Sequence, residues 1–301
     1  MKKSHRSLAI FTVGVAFASL SIASAQQYTT IDYPGAVATS LNGGPNPEGT
    51  NIGSYTDTSG VTHGFTLKKG VFTSFDPPGS TLTTPNWISP QGVIVGQYID
   101  SGGASHGFIL DGGNYTTVDF AGAAGSALTG LNPSGEMSGF YCSDPACGTF
   151  GATTTNHSFT VSKKGVFSSF DPPGAISSQA STVNPSGTVV GFYVDGSGVG
   201  HGYQLYHGTF TTIDYPGAVF TFAGANNPEG DIVGLYFDTA GLGHSFLLRN
   251  GVFTSFDPPS AVPLPPPSGL LSDAAGINPS GVIVGIFFDA AGAEHGYMRT
   301  P

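Results

Sequence analysis

Apolar and polar residues alternate along this chain in short runs, and the same runs keep returning. An apolar, β-branched stretch such as "VIVGQYID" leads through a tight loop to "HGFIL", and then to "FTTIDYPG" or "FTSFDPPG", which ends in a proline turn. A short polar segment closed by "NPEG" or "NPSG" precedes each first stretch. Such runs, bounded by Gly, Pro, Asn and Asp, are strand signals and are too short for helices. Each repeat therefore predicts four strands joined by turns. Asn at the first position, Pro at the second and Gly at the fourth are what a type I turn favours. That turn opens at Asn46, Asn132, Asn184, Asn227 and Asn278, with Ser89 in the second copy.

Aligned on one strand glycine, six copies appear, at Gly53, Gly96, Gly139, Gly191, Gly234 and Gly285. The period is 43 residues, stretched to 52 by "CSDPACGTFGATTT" and to 51 by "VPLPPPSG". Four strands in about 40–45 residues match a β-propeller blade, so the expected fold is all-β, a six-bladed propeller. A solenoid would carry atypical capping repeats, and none is visible. The last copy stops at "HGYMRTP" without a fourth strand, while an orphan "YTTIDYPG" stands at residues 28–35. The expectation is that this N-terminal strand completes the sixth blade and closes the ring.

Three loop residues between the second and third strands place Tyr55 opposite His63 and Gly53 opposite Phe65. The same count sets Gly96 opposite Phe108, Gly191 opposite Tyr203, Gly234 opposite Phe246 and Gly285 opposite Tyr297. A strand glycine leaves room for a cross-strand ring to fold over it, which makes "HGF" a packing device. Rings also recur two residues after each glycine and four before each repeated Asp, as a core would require. The fourth strand alternates between "IDYPG"-like and "FDPPG"-like endings, which suggests a pair of blades copied three times.

Composition sharpens the picture at the ends. Lys2, Lys3 and Arg6 precede an apolar run and the triplet Ala23-Ser24-Ala25, the pattern of a signal peptide cleaved before Gln26. Residues 1–25 are thus expected to be removed, leaving a propeller domain over residues 26–301 in a secreted or periplasmic protein. The full chain carries a formal net charge of −10, and three of its nine basic residues lie in that leader. So acidic a protein repels phosphate backbones, which argues against nucleic acid. No membrane span is expected in the mature chain, and a monomer is.

The residues "GINPSGVIVG…D..G..HGY" resemble the HAF repeat, a family of extracellular bacterial repeats, here with His-Gly-Phe, His-Ser-Phe or His-Gly-Tyr triplets. The resemblance covers essentially all of the mature chain and brings no established activity or catalytic residues with it; no cofactor is expected.

Candidate chemistry is read against this background. His63, His106, His157, His201, His244 and His295 occur once per blade, too far apart for one zinc ion, and are expected to be structural. Asp32, Asp76, Asp119, Asp171, Asp214 and Asp257 close the fourth strands; they are expected to cap the proline turns, with an anionic, cation-attracting rim as the sharper alternative. Asp57, Asp100, Asp195, Asp238 and Asp289 are expected to cap the hairpin loops. Cys142 and Cys147 are expected to form a disulfide in an oxidising compartment. Among residues that do not repeat, Trp87 is a candidate ring for ligand stacking, with packing as the plainer alternative. Glu136 and Asp231 are expected to be solvated at the surface, and Asp273 and Glu294 stand out only as departures from the repeat. The functional reading is a binding or structural module for a glycan, surface polymer or protein. Its rival is a propeller enzyme of lyase, lactonase or glycosidase type with an acid-base pair, two unlike carboxylates or a His-carboxylate pair, near the axis at the channel mouth.

Overall fold

The computed structural model describes residues 26–142 and 155–301, which form twenty-four strands and no helix. The signal-peptide expectation over residues 1–25 and the Cys147 half of the proposed disulfide lie outside the described residues. After β1 (Gln27–Ile31), the first unit comprises β2 (Ala38–Gly43), β3 (Thr50–Thr56), β4 (Thr62–Lys68) and β5 (Val71–Phe75). The second is β6 (Ser80–Ile88), β7 (Ile94–Asp100), β8 (Ser105–Asp111) and β9 (Asn114–Val118). The third is β10 (Gly125–Leu131), β11 (Met137–Cys142), β12 (Asn156–Val161) and β13 (Phe167–Phe170). The fourth is β14 (Ala175–Val183), β15 (Val189–Asp195), β16 (Gly200–Tyr206) and β17 (Thr209–Ile213). The fifth is β18 (Phe220–Asn226), β19 (Ile232–Phe237), β20 (Gly243–Arg249) and β21 (Val252–Phe256). The sixth has β22 (Ser272–Ile277), β23 (Ile283–Phe288) and β24 (Glu294–Thr300), and its fourth strand is β1, antiparallel to β24 with Thr29 opposite Met298.

Every unit is an antiparallel meander whose register follows from the strand glycines. Gly53 faces Phe65 and Tyr55 faces His63, and the equivalent pairs hold in the other units. The rings opposite the glycines, Phe65, Phe108, Phe159, Tyr203, Phe246 and Tyr297, are all essentially without solvent exposure. They fill the space that the missing side chain leaves: a Cβ on Gly53 would lie 1.9 Å from the Ser40 carbonyl oxygen and 2.7 Å from the Phe65 ring. A bulge recurs near the end of each unit's first strand, between Leu41 and Gly43 or Pro85 and Trp87 for example. Such a bulge increases twist and bends the strand.

The two-unit alternation has a physical correlate. Where the residue after the repeated Asp is aromatic, it lies flat on a ring of the following unit: Tyr33 on Tyr55 at 3.6 Å, Phe120 on Tyr141 at 3.8 Å and Tyr215 on Tyr236 at 3.7 Å. Prolines 77, 172 and 258 occupy that place in the other three units. The first and sixth units also touch: β2 packs against β22, β23 and β24, and Asn278 donates its side-chain N–H to the Pro45 carbonyl at 3.2 Å. The proline-rich insertion before the sixth unit lies against the fifth, where Gly243 donates to the Gly269 carbonyl at 3.0 Å.

Candidate functional site

The turns at the start of each unit's second strand gather at one end of the molecule. In the five Asn copies the side-chain oxygen accepts main-chain N–H bonds from its own turn, as Asn46 Oδ1 does from Glu48 at 3.1 Å and Thr50 at 3.0 Å. In the same five copies the side-chain Nδ2 reaches out of the unit. Asn46 donates to the Ser89 carbonyl, Asn132 to Asn184, Asn184 to Asn227, Asn227 to Asn278 and Asn278 to Pro45, at 3.2 to 3.4 Å. Ser89 caps its own turn through Oγ, but a hydroxymethyl is too short to extend the chain of bonds. Sequence alone marked these asparagines as turn formers. The recurrence of Asn, where Asp or Ser also opens turns, was the available sign of a second role, because an ionised Asp has no donor and a Ser hydroxyl, though it can donate, is too short to reach the next unit.

These turns surround a cavity of about 490 Å³ whose wall includes a proline from every unit: Pro47, Pro90, Pro133, Pro185, Pro228 and Pro279. Trp87 enters it from the second unit. The strand pairings place Gly43, Gly130, Thr182, Ala225 and Gly276 at the equivalent position elsewhere. One large ring therefore occupies ground that five small residues leave open. Its indole packs against the apolar cluster of Ala225, Val233 and Ile277 in the fifth and sixth units, and against that of Leu131 in the third. Trp87 thus packs against the core, as the plainer alternative expects, and it also lines the cavity.

Behind the turns lies a second cavity of about 340 Å³, bounded by the first strand of every unit. Its walls carry amides and hydroxyls, among them Asn42, Thr84, Asn86, Gln97, Thr129 and Gln179, together with the rings of Phe140 and Phe222. Among the described residues Asp273 is the one carboxyl in these walls.

At the opposite end stand the repeated histidines and aspartates, and here an expectation is corrected. The carboxylates of Asp76, Asp119, Asp171, Asp214, Asp257 and Asp32 take the Nδ1 of His63, His106, His157, His201, His244 and His295 as partner, at 2.7 to 3.1 Å, rather than the proline turn. The reason is register. Gly64 faces Phe75 across β4 and β5, so the residue before the glycine meets the residue after the phenylalanine. The hairpin aspartates do cap their loops, as Asp57 Oδ1 does for Ser59 and Val61, and all five present the other oxygen to Nε2 of their unit's histidine at 3.4 to 3.9 Å. Each imidazole also stacks near the facing ring, with Tyr55 and His63 at 5.1 Å. The rim aspartates are thus engaged by the histidines of their own units, and no group of three or more metal-ligating side chains occurs among the described residues.

These pairs carry a pH dependence. The Asp76 bond holds the His63 imidazole above its ordinary value; for His106 and His295 burial pulls downward, and the bonds to Asp119 and Asp32 more than offset it. Bonds from Ser59 and Val61 bring Asp57 down to about 2, and loop N–H groups lower Asp100, Asp195, Asp238 and Asp289. The raised histidines stabilise fully below about pH 6.5, and that contribution is lost as pH rises through their folded values; the lowered carboxylates stabilise above about pH 4 and lose this as pH falls. The melting temperature is accordingly expected to peak between about pH 4.5 and 6 and to fall toward pH 8. Thermal melts across that range check this, and His63→Gln is expected to make the alkaline decline shallower.

Two further residues differ from expectation. Asp231 is buried rather than solvated, bound by Arg249 at 2.7 and 3.0 Å and by Asn227 at 3.2 Å. Glu136 is bonded to the Asn132 amide at 3.2 Å. Cys142 closes β11 in a fully buried position. His207 sits exposed in a tight turn with a positive φ of 47°.

No family model and no curated protein matches the chain. Solved structures do. The putative TolB of Agrobacterium tumefaciens is 14% identical, with 87% of this chain and 88% of that one covered and a TM-score of 0.56. AofleA of Arthrobotrys oligospora is 16% identical over 89% and 81%, with a TM-score of 0.52. The fucose-specific lectin of Aleuria aurantia is 12% identical over 86% and 90%, also at 0.52. Together with the repeated four-stranded units, these likenesses define the fold as a β-propeller. Identity this low carries the fold and nothing further. No helix among the described residues is long and apolar enough to cross a membrane.

Proposed function

We propose that the chain is an exported six-bladed propeller of HAF-like repeats, closed by β1 as the outermost strand of the sixth blade, that acts as a carbohydrate-binding module. The site is the mouth lined by the six Asn-Pro turns. One observation carries the reading: the quasi-sixfold wall of small residues and prolines is broken by a single large aromatic, Trp87, in a cavity of about 490 Å³. That volume falls within the range of about 300–1,000 Å³ typical of small-molecule sites. An indole face suits the apolar face of a sugar ring, while the asparagine turns and Ser280 supply polar groups at its edge. The lectin among the structural neighbours supports the ligand class by analogy of fold alone.

Trp87 is the only tryptophan of the chain, so its emission reports on the mouth directly. Titration with a panel of monosaccharides and surface-polymer fragments is expected to give a saturable change in tryptophan emission for at least one sugar. Calorimetry should show that the same sugar loses about tenfold or more in affinity with Trp87→Ala, the scale of one aromatic contact. If no sugar in the panel changes the emission, the proposal fails.

A further inference from the structure

The inner cavity carries a group that the sixfold framework does not use. Strand register makes Ser40, Thr84, Ala127, Gln179, Phe222 and Asp273 equivalent, each opposite the residue that follows its unit's strand glycine. Five of the six are uncharged. Asp273 is half-buried and lines the cavity, while its Oδ1 is enclosed without a hydrogen-bond partner. Leaving a carboxyl oxygen in this state is costly unless something supplies a donor.

A second carboxyl stands nearby. Glu294 opens β24 where the other units carry Thr62, Ser105, Asn156, Gly200 and Gly243, and its Oε1 accepts a hydrogen bond from the Ser40 hydroxyl across the junction of the sixth and first units. Burial, and then the charge of Glu294, push Asp273 up to about 7; burial also raises Glu294. The ionisable groups around this pair are His295, whose charge lowers Glu294, and Tyr297, which feels Asp273; both belong to β24. Among the described residues no Lys, Arg or His lines the cavity. The Asp273 carboxyl therefore faces this cavity with no cationic side chain beside it among the described residues.

We propose that the inner cavity is a binding site for a small primary amine, whose ammonium group pairs with the part of the Asp273 carboxylate that lines the cavity, with the charge of Glu294 adding to its field. The surrounding amides and hydroxyls, Asn42, Thr84, Gln97 and Gln179 among them, suit a polar skeleton that carries hydroxyl groups. The volume of about 340 Å³ admits a compact molecule. A metal ion fits less well, since calcium takes about six to eight oxygen ligands and no cluster of three acidic or imidazole groups occurs among the described residues. A neutral ligand would leave the carboxylate uncompensated. The protein's net negative charge favours the approach of a cation. This site stands apart from the mouth and does not depend on saccharide binding there.

Calorimetric titration of residues 26–301 with ethanolamine and glucosamine, with ethylene glycol and glucose as their neutral counterparts and with calcium chloride, tests the site. At least one amine is expected to bind saturably, about tenfold or more tighter than its neutral counterpart, and to lose that margin in Asp273→Asn, as a charge-assisted bond requires. Asp57→Asn, at the far rim, is expected to leave binding unchanged. Because the bound ammonium holds Asp273 ionised, the binding enthalpy near pH 7 should vary with the ionisation heat of the buffer, a readout on the unmutated chain. Equal affinity for amine and neutral counterpart overturns the proposal, as does calcium binding in place of the amines, full binding by Asp273→Asn, or no binding of either amine.

Discussion

Deletion of residues 26–35 is expected to lower the melting temperature by about 10 °C or more. The segment supplies β1, which pairs along its length with β24 from Gln27 opposite Thr300 to Ile31 opposite Gly296. It also supplies Tyr28, which packs with the core of the fifth and sixth units, and Ile31 and Tyr33, which pack with that of the first. Losing three such side chains at about 1.5–3 kcal/mol each removes on the order of 5 kcal/mol, and a domain of this size shifts by about 2–4 °C per kcal/mol. The deletion also bares the β24 edge, a template for intermolecular pairing. Scanning calorimetry gives the shift, and light scattering on the refolded protein reports the association expected of an open edge. An unchanged melting temperature would mean that β1 contributes nothing to the sixth unit.

The second large effect comes from one methyl group. Gly53→Ala places a Cβ 1.9 Å from the Ser40 carbonyl oxygen and 2.7 Å from the Phe65 ring, and the nearer of these is backbone that cannot rotate away. Relief requires the first and second strands of the unit to separate and a fully buried ring to move, at a cost of about 3 kcal/mol or more. The same substitution at Gly196 meets nothing within 4 Å and carries no positive φ, so it should be neutral or slightly stabilising. Denaturant unfolding of the pair isolates the packing term, since both changes alter the unfolded chain alike. Equal stability of the two variants would remove the glycine-and-ring pairing as the reason for the repeat's most regular feature.

That feature was legible because hairpin arithmetic needs only loop length. Once Thr58, Ser59 and Gly60 form the loop, Gly53 must face Phe65, and the alternation of buried and exposed positions follows. The same arithmetic taken one hairpin further sets His63 beside Asp76, and the interval of 13 residues recurs in the pairs 106–119, 201–214 and 244–257. The sequence held this partner, but local turn chemistry offered the aspartate a competing role. Trp87 and Asp273 were visible only as departures from the repeat. Their significance depends on which strand lines the cavity and which face it turns inward, which is set by how the units pack against one another. Within one unit, no periodicity separates a ring that caps a strand end from one that reaches the fifth and sixth units. Asp231 shows the same limit, since its burial rests on Arg249 in β20, a partner in space with no motif to announce it.

Ring closure is the claim on which the mouth, the inner cavity and the seam all rest, and amide hydrogen exchange tests it without altering the chain. In the closed ring, peptides covering residues 27–31 should exchange as slowly as those covering the fourth strand of the first unit, residues 71–75, because both are ordered outer strands bonded along one edge. Exchange of residues 27–31 at the rate of an unstructured tail, with residues 71–75 protected, would contradict the account.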